Sequence, residues 1–481
     1  MIVLIAGCGY VGACAADGLH AEGHRVIGLT HTSDSAAALA AVKPWTVLSA
    51  DVSDAEAIQN LAARVGDVDV VIHCASSGRG GAESYERVYL RGMQNLVAAF
   101  PDAFPIFTSS TSVYPQIAGE TVTETSSADP DRETGHLLRQ AEQAALSVGG
   151  AVARLAGIYG PGRSFVLKNL LLGKSGIEVT AEAPEGRIIN QIHQEDAAAA
   201  LVHLAGRRSP GVFNVVDDMP MTQGACLERL AALFAQPMPG LKAPDPDRKR
   251  GWSHKSVSNA KLRTSGWQPG YPSYFDAIRD DPDLASSIFA QVLEEADPPR
   301  APNIVMVGLM GSGKTTVGRI VAQMLGFHLV DMDALIASAA GCSIPEIFEK
   351  EGEAGFRQRE SSVLRKLLGT RGAVISTGGG VVTQDRNLPL LHHLGFVVWL
   401  EASPDLLAKR TGHNHDRPLL NGEEDPKAKL ERLLRERAPF YKGLADLRIQ
   451  TDDLSQEESA YGVAESARLH FTQTASVNGT W

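Results

Sequence analysis

Residues 308–315 read GLMGSGKT, which is the complete G-x-x-x-x-G-K-T phosphate-binding pattern. The apolar run 304–307 before it predicts a buried strand, and residues 316–325 after it predict a helix. In that setting the loop N–H groups and the helix start favour phosphate, Lys314 reaches the β- and γ-phosphates, and Thr315 holds Mg²⁺. The sequence therefore predicts a nucleoside triphosphate site with Mg²⁺, formed by Gly311, Ser312, Gly313, Lys314, Thr315 and Thr316.

Composition limits the class of protein. The chain of 481 residues is too long for one ordinary domain, and 44% hydrophobic with 21% charged residues is typical of globular proteins. The net charge of −11 argues against a nucleic-acid partner, and no apolar run is long enough to span a membrane. Five scattered cysteines suit a reducing cytosol, and the short apolar start lacks the basic lead of a signal peptide. We therefore expect a cytoplasmic protein.

Strand-like and helix-like segments alternate in both halves of the chain, which predicts an α/β fold with parallel sheets. We expect a Rossmann-type doubly wound sheet over residues 1–280. A phosphate-loop α/β domain of the nucleoside-monophosphate-kinase type is expected over residues 303–472. The intervening residues 281–302 are rich in proline and charge and predict a semi-rigid linker, and residues 473–481 predict a flexible tail.

A second glycine motif, GCGYVG, occupies residues 7–12 directly after an apolar strand. In this position it is a dinucleotide-binding fingerprint, formed by Gly7, Gly9 and Gly12. The acid that usually ends the second strand and binds the ribose 2′-hydroxyl is absent from residues 29–33, LTHTS. We expect NADP or NAD as the cofactor, with Asp51 at the adenine. The alternative is that the glycines only allow tight strand–helix packing.

Further segments of the first 280 residues resemble the NAD-dependent epimerase/dehydratase branch of the extended short-chain dehydrogenase/reductase family. They are IHCA at 72–75, TSSTSVY at 108–114, RLAGIYGPG at 154–162, INQIHQED at 189–196, FNVVDD at 213–218 and GW at 266–267. The resemblance implies a Rossmann fold that binds NAD(P). It also places Ser110 in the dinucleotide site, at the position of the family's catalytic serine.

The family's catalytic Tyr-x-x-x-Lys pair is missing from this chain. Counting back from Glu142 places Thr134 at the tyrosine position and Leu138 at the lysine position. In the family the tyrosine supplies a proton and the lysine lowers its pKa, which a leucine cannot do. Hydride transfer or epimerisation would need a rearranged acid/base pair, and a cofactor-sensing or inactive domain is the alternative.

The C-terminal half carries further polar motifs after the phosphate loop. Asp331 and Asp333 end a strand, and in an extended segment both carboxylates point to the same face. Such acids suit the waters of Mg²⁺ and the hydroxyls of a substrate. Arg357, on a predicted helix, can bind a carboxylate through two parallel hydrogen bonds.

Three later segments complete this pattern. The glycines of residues 378–380 follow an apolar strand and let a ligand meet backbone N–H groups. The cationic stretch 410–420 predicts a lid over the phosphates, and Arg437 on the following helix can reach a carboxylate.

Taken in order, these motifs resemble the shikimate kinase family over about residues 303–470. The resemblance implies ATP-dependent phosphorylation of shikimate to shikimate 3-phosphate on the pathway to chorismate and the aromatic amino acids. It implies catalysis by Lys314, Asp333 and Arg417, and ATP contacts from Arg410 and Arg417. Thr315 and Asp331 would hold Mg²⁺. The implied shikimate contacts are Asp333, Arg357, Gly379, Gly380 and Arg437.

The main prediction is a shikimate kinase domain, with shikimate and ATP as ligands, fused to an atypical NAD(P)-binding domain. One alternative is a gluconate-type sugar-acid kinase of related fold. Another is that the N-terminal half is an active NADP-dependent oxidoreductase or epimerase. The sequence leaves the oligomeric state open.

Overall fold

Each glycine motif joins a buried strand to a helix. Residues 3–6 and 304–307 are apolar and buried, and a helix follows each loop within a few residues. This arrangement is seen in a computed structural model, which describes residues 1–78, 80–245, 252–411 and 425–478. The two strand–loop–helix units that the sequence predicts are therefore present.

The strands, numbered along the described chain, are short and mostly parallel. They are β1 (Ile2–Ala6), β2 (Arg25–Thr30), β3 (Thr46–Ser49), β4 (Val70–His73), β5 (Phe104–Ser110), β6 (Thr121–Val122), β7 (Ala151–Leu155), β8 (Gly157–Tyr159), β9 (Ile177–Glu178), β10 (Ile188–Ile189), β11 (Gln191–His193), β12 (Gly211–Val215), β13 (Met221–Thr222), β14 (Leu241–Lys242), β15 (Ser256–Val257), β16 (Ile304–Val307), β17 (His328–Asp331), β18 (Ala373–Ser376), β19 (Phe396–Glu401) and β20 (Leu447–Gln450).

Helices connect these strands. They are α1 (Tyr10–Ala21), α2 (Ser33–Ala40), α3 (Ala55–Val65), α4 (Ala82–Tyr85), α5 (Gly92–Ala99), α6 (Glu133–Leu146), α7 (Phe165–Leu171), α8 (Gln194–Arg207), α9 (Gln223–Leu233), α10 (Ala260–Thr264), α11 (Tyr274–Asp280), α12 (Leu284–Leu293), α13 (Lys314–Leu325), α14 (Met332–Ala340), α15 (Ile344–Lys366), α16 (Leu388–Leu394), α17 (Pro404–Thr411), α18 (Pro426–Leu444) and α19 (Gln456–Asn478). A π-helical segment, Glu86–Arg91, joins α4 to α5.

Two parallel sheets organise the chain. The first has seven strands in the order β12-β7-β5-β4-β1-β2-β3, and the second has five in the order β17-β18-β16-β19-β20. Each glycine motif follows an inner strand, β1 or β16, at its carboxyl end, where ligands bind in open α/β sheets. The predicted α/β fold, with a Rossmann-type sheet followed by a phosphate-loop domain, is confirmed.

Alternation along β1 shows why the first sheet is covered on both faces. Val3 and Ile5 belong to one hydrophobic core, while Leu4 and Ala6 belong to another. Successive side chains of a strand point to opposite faces, so a strand that is apolar throughout must be covered by helices on both sides. This is the doubly wound arrangement that the sequence predicts.

The chain divides into two compact units, each built around one of the large sheets. The first unit comprises Met1–Arg163, Gly176–Cys226 and Gly240–Ala277. The second unit comprises Ser164–Ser175, Leu227–Pro239 and Ile278–Trp481. The second unit therefore includes two short stretches that precede the phosphate loop by many residues.

Two segments differ from the sequence expectation. The stretch 281–302, expected to be a linker, contains α12, in which Leu284, Ile288, Phe289 and Val292 are fully buried. It is thus a packed element, because its apolar residues recur at helical spacing. Helix α19 continues to Asn478, past the expected domain end at residue 472. Among the described residues, no helix has the length and apolar character needed to cross a membrane.

Candidate active site

The phosphate loop of the second unit lies between β16 and α13. Gly311 and Gly313 have φ values of 81° and 95°, a left-handed conformation that glycine adopts without steric cost. Lys314 is buried, and its Nζ donates to the carbonyl oxygens of Gly308 and Leu309 at 2.8 and 2.9 Å. The ammonium group is therefore held over the loop, where the phosphates of a nucleotide would lie.

Thr315 and Asp331, the pair predicted to hold the metal, are brought into contact. The Thr315 hydroxyl donates to Asp331 Oδ2 at 3.0 Å and lies 2.9 Å from the Ser376 hydroxyl. Asp331 and Ser376 are register partners on the neighbouring strands β17 and β18, which explains their proximity. These three oxygens sit beside the phosphate loop, and Mg²⁺ sites use few protein oxygens and several waters.

The relation expected between Asp331 and Asp333 is wrong. We expected both in one extended segment with their carboxylates on the same face, but the strand ends at Asp331. Asp331 is instead the N-cap of α14, and its Oδ1 accepts from the N–H groups of Asp333 and Ala334 at 3.0 and 3.3 Å. Asp333 lies in the first helical turn and lines the cavity next to the phosphate loop.

Arg357 is a buried cation held by two acids on its own helix. Its Nη1 donates to Glu360 at 2.8 Å and its Nη2 to Glu353 at 3.0 Å. Burial opposes the charge of Arg357, but the nearby carboxylate of Glu360 raises its pKa above the ordinary value. Burial also raises the pKa of Glu360, against the effect of Arg357. Glu360 was not among the predicted site residues, although its spacing from Arg357 places both on one helical face.

The three glycines of residues 378–380 are in close contact with other parts of the site. A side chain at Gly380 would overlap the Arg357 guanidinium, and one at Gly378 would overlap the Glu360 carboxylate. A Cβ at Gly379 would lie 3.2 Å from Gly308 O and Met310 N of the phosphate loop. The glycine loop therefore joins the phosphate side of the site to the Arg357 side.

Arg437 completes a second buried cationic position. It is 5% exposed, and Tyr441, one turn later on α18, donates to the carbonyl oxygen of Gly379. Among the described residues, Arg437 Nη1 and Arg357 Nε are buried without a hydrogen-bond partner. Buried donors of this kind are costly unless a ligand accepts from them. The chemistry of these donors fits an anionic ligand such as a carboxylate.

A cavity of about 340 Å³ links many of the predicted residues. Its lining includes Gly311, Ser312, Gly313, Lys314, Thr315, Thr316, Asp333, Gly379 and Arg410. Asp331, Arg357, Gly380 and Arg437 are not among its lining residues, although the contacts above connect them to it. Arg417 lies outside the described residues. The lining also includes Ser376, Thr377, Thr451, Leu454, Ser455, Gln456 and Ser459, which the sequence analysis missed.

The first unit has its own glycine-lined site. Gly7 has φ 99°, and a side chain there would overlap the backbone of Ala75; one at Gly12 would overlap the carbonyl of Gly7. Gly9 has open space where a Cβ would be. These are the three roles of a dinucleotide fingerprint: a tight turn, close approach of the ligand to the backbone, and close helix–strand packing.

A cavity of about 420 Å³ opens beside this motif, lined by Gly7, Gly9 and Asp51 among others. Gly12 and Ser110 are not among its lining residues, and the Ser110 hydroxyl accepts from the Ser112 N–H at 3.2 Å. The cavity and the glycine geometry together fit a dinucleotide.

The helix that would carry the family's acid/base pair has none in this chain. Leu138 is buried in the hydrophobic core, and Thr134 is half-buried. One turn later, Glu142 is fully buried and accepts from Ser109 at 2.6 Å and from Arg154 at 3.0 and 2.7 Å. Glu142 thus belongs to a buried structural network next to the missing pair.

Comparison with known proteins agrees with these two sites. The Shikimate kinase family matches residues 310–468, and the NAD dependent epimerase/dehydratase family matches residues 3–215. The chain is 49% identical over 164 residues to the shikimate kinase of Synechococcus sp. (strain CC9605), covering 34% of this chain and 81% of that protein. It is 51% identical over 150 residues to the shikimate kinase of Cupriavidus pinatubonensis, covering 31% of this chain and 78% of that protein.

Among solved structures, a UDP-glucose-4-epimerase from Stenotrophomonas maltophila with bound NAD is similar in fold to the N-terminal part. The TM-score is 0.51 at 19% identity, with 61% of this chain and 99% of that chain covered. The chain is thus a phosphotransferase with a fused Rossmann domain. It belongs to the shikimate kinase family, and its N-terminal part is similar to the NAD dependent epimerase/dehydratase family. A kinase domain implies ATP and, as a rule, Mg²⁺.

Proposed function

We propose that the second unit transfers the γ-phosphoryl group of ATP to the 3-hydroxyl of shikimate. The observation that carries this proposal is the pair of buried arginines, Arg357 and Arg437, each with a side-chain N–H group that lacks a partner among the described residues. Arg357 lies against Gly380, and Tyr441, one turn after Arg437, donates to the carbonyl oxygen of Gly379, so both arginines are linked to the glycine loop that contacts the phosphate loop. A substrate with a carboxylate at one end and a hydroxyl at the other would bridge these two parts of the site.

In this proposal the shikimate carboxylate accepts from Arg357 and Arg437, and Gly379 and Gly380 line the ring. Asp333, which lines the cavity, orients the hydroxyls and accepts the proton of the attacking one. The hydroxyl oxygen bonds to the γ-phosphorus while the bond to the β-phosphate oxygen breaks, which yields ADP. Positioning and charge neutralisation supply most of the acceleration in such transfers.

ATP would be held by the phosphate loop, with Lys314 moving from its carbonyl partners to the phosphates. Arg410, whose Nη1 lies 3.4 Å from Gly311 O, would face the nucleotide, and Arg417 would neutralise phosphate charge. Mg²⁺, when bound, would neutralise the phosphates further, and Thr315 and Asp331 would hold it. The first unit would bind NAD or NADP at Gly7, Gly9, Gly12 and Asp51.

The test is ADP release by the full-length protein with ATP and Mg²⁺, with shikimate, gluconate or no acceptor. ADP should be detected directly by chromatography, because an NADH-coupled assay would add a possible ligand of the first unit. We expect release that depends on shikimate. Release with gluconate but not shikimate would overturn the proposal in favour of the sugar-acid kinase.

A variant pair sharpens this test. Arg437→Met should raise the KM for shikimate about 100-fold with little change in the KM for ATP, because truncating a buried charge partner costs about 2–5 kcal/mol. Arg435→Met is the matched control, since Arg435 is exposed on the same helix. Equal effects of the two substitutions would argue against a carboxylate contact at Arg437.

A further inference from the structure

The dinucleotide cavity of the first unit has an unusual wall where the adenosine ribose would lie. At the end of β2 and directly after it, the lining residues are Thr30, His31 and Ser35, and no acid lines this strand end. In Rossmann folds that take NAD, an acid at this strand end binds the ribose 2′-hydroxyl, whereas a nearby cation accommodates a 2′-phosphate. Asp34, the acid in the first turn of α2, is exposed and is not among the lining residues.

The side chains at this wall are hydrogen-bond donors. The Thr30 hydroxyl already donates to Thr32 O at 3.1 Å, so its proton is not available to the ligand. The Thr32 hydroxyl donates to Ser35 Oγ at 2.9 Å, which leaves the Ser35 proton to donate elsewhere. His31 is 70% exposed at the side chain and offers a ring N–H. This set can donate to an anion but has no carboxylate to accept from a hydroxyl.

Arg87 brings a positive charge to the same cavity. It is an exposed residue of the π-helical segment Glu86–Arg91 and lines the cavity together with His31 and Ser35. The one lining carboxylate that faces it belongs to Asp51. Asp51 Oδ1 accepts from the Ser53 N–H and hydroxyl at 2.9 and 2.7 Å, and its Oδ2 lies 3.8 Å from His31 Nδ1. Asp51 is therefore held by its own loop, and its carboxylate interacts electrostatically with both His31 and Arg87.

We infer that this cavity takes the 2′-phosphorylated dinucleotide NADP in preference to NAD, with His31, Ser35 and Arg87 as the groups that recognise the 2′-phosphate. The inference deepens the proposed dinucleotide binding of the first unit and is independent of the kinase reaction. A phosphate at this position would supply the acceptors that the donors at the wall lack. The dianion would also be attracted by the positive charge of Arg87, which lines the same cavity.

The test is direct binding of NADPH and NADH to the full-length protein, followed by the fluorescence of the reduced nicotinamide. We expect NADPH to bind at least about tenfold more tightly, the size of one charge-assisted hydrogen bond. The preference should shrink as ionic strength rises, because exposed charges are screened by salt. Equal affinity, tighter binding of NADH, or binding of neither would overturn the inference.

Variants locate the 2′-phosphate. Arg87→Met should weaken NADPH binding about tenfold and leave NADH binding unchanged. Arg91→Met is the matched control, because Arg91 belongs to the same segment but pairs with Glu86 at 2.7 Å and does not line the cavity. Loss of NADPH and NADH binding in equal measure in Arg87→Met would overturn the role of Arg87.

A further variant should change the cofactor preference from NADPH to NADH. Thr30→Asp places an acid at the end of β2 and should reverse the preference toward NADH.

A control variant excludes binding at the phosphate loop. The titrations are repeated with Lys314→Met, because the ADP half of a dinucleotide resembles a ligand of that loop. The NADPH signal should persist in that variant; its disappearance would assign the binding to the second unit and overturn the inference. If shikimate-dependent ADP release fails while NADPH binding is retained, only the kinase proposal is lost.

Discussion

Gly380 lies directly against the guanidinium of Arg357, so closely that a Cβ on the glycine would overlap the charged group. Arg357 cannot easily retreat, because Glu360 and Glu353 hold it at 2.8 and 3.0 Å and it is 5% exposed. The glycine at this position is therefore a requirement of the arginine's placement. The proposed carboxylate contact depends on that placement.

The first prediction concerns this contact. Gly380→Ala should raise the KM for shikimate by about tenfold or more, since displacement of a binding group by a fraction of an ångström can cost that much. The KM for ATP should change little. The measurement is steady-state kinetics with each substrate varied in turn.

A matched glycine substitution controls for general effects. Gly443→Ala, on α18, adds a methyl group with no atom within 4 Å, and alanine favours helix by up to about 1 kcal/mol. We expect unchanged kinetics for this variant. An unchanged KM for shikimate in Gly380→Ala would contradict the proposed role of Arg357.

The second prediction concerns the metal. Asp331→Asn should raise the Mg²⁺ concentration needed for half-maximal activity about tenfold, because the substitution removes the negative charge next to Thr315. Asparagine is as good an N-cap as aspartate, so α14 should remain folded. The measurement is a magnesium titration of ADP release at saturating ATP and shikimate.

Asp425→Asn is the control for the capping role. Asp425 is the N-cap of α18, where it accepts from the Ala428 N–H at 3.0 Å, and it is not among the described residues that line the cavity at the phosphate loop. The Mg²⁺ concentration that the Asp425→Asn variant needs for half-maximal activity should equal that of the parent protein. If Asp331→Asn and Asp425→Asn respond alike, Asp331 does not act through the metal.

Much of the fold could be predicted from sequence because its signals are local. The phosphate loop and GCGYVG each carry their strand before and helix after, so the parallel sheets followed from hydrophobic patterning alone. The helix in 281–302 was missed because proline and charge at both ends of that stretch outweighed the short apolar segment of α12. Its burial depends on α16, which is far away in sequence.

Site residues could be predicted from sequence where a motif fixes the backbone, and less well where tertiary contacts determine their positions. Lys314 and Thr315 follow from the loop pattern. The N-cap role of Asp331 required knowing where β17 ends, and strand ends are set by pairing with neighbours. Thr451, directly after β20, and Ser459, in the first turn of α19, both line the cavity, and neither belongs to a motif that marks a nucleotide site.

The third prediction tests α12 as part of the second unit. Phe289 is fully buried, with its ring 4.5 Å from that of His393 and 5.5 Å from that of Phe234. Phe289→Ala should destabilise the protein by about 3–5 kcal/mol, because it leaves a cavity among these rings. Urea denaturation followed by circular dichroism measures this. Phe165→Ala, at a residue 69% exposed, should change stability by less than about 0.5 kcal/mol. Equal effects would mean that α12 is only a linker.

The fourth prediction concerns pH. Asp217 in the first unit is 3% exposed, and burial raises its pKa to about 7, opposed by a hydrogen bond from the Met219 N–H at 3.2 Å. Between its ordinary value near 4 and pH 7, the folded protein keeps a proton that the unfolded chain loses, so stability falls as pH rises. The full cost is present above pH 7.

Asp217→Asn should remove this cost while keeping the acceptor for Met219. We expect the variant to gain stability over the parent protein on going from pH 4 to pH 8, by an amount on the order of 4 kcal/mol. Urea denaturation at pH 4, 6 and 8 measures the difference, with the exposed Asp102→Asn of the same unit as control. A difference between Asp217→Asn and the parent that stays constant across this range would contradict the prediction. It would show that the pKa of Asp217 is the same in the folded protein as in the unfolded chain, because stability changes with pH only where the two states bind different numbers of protons.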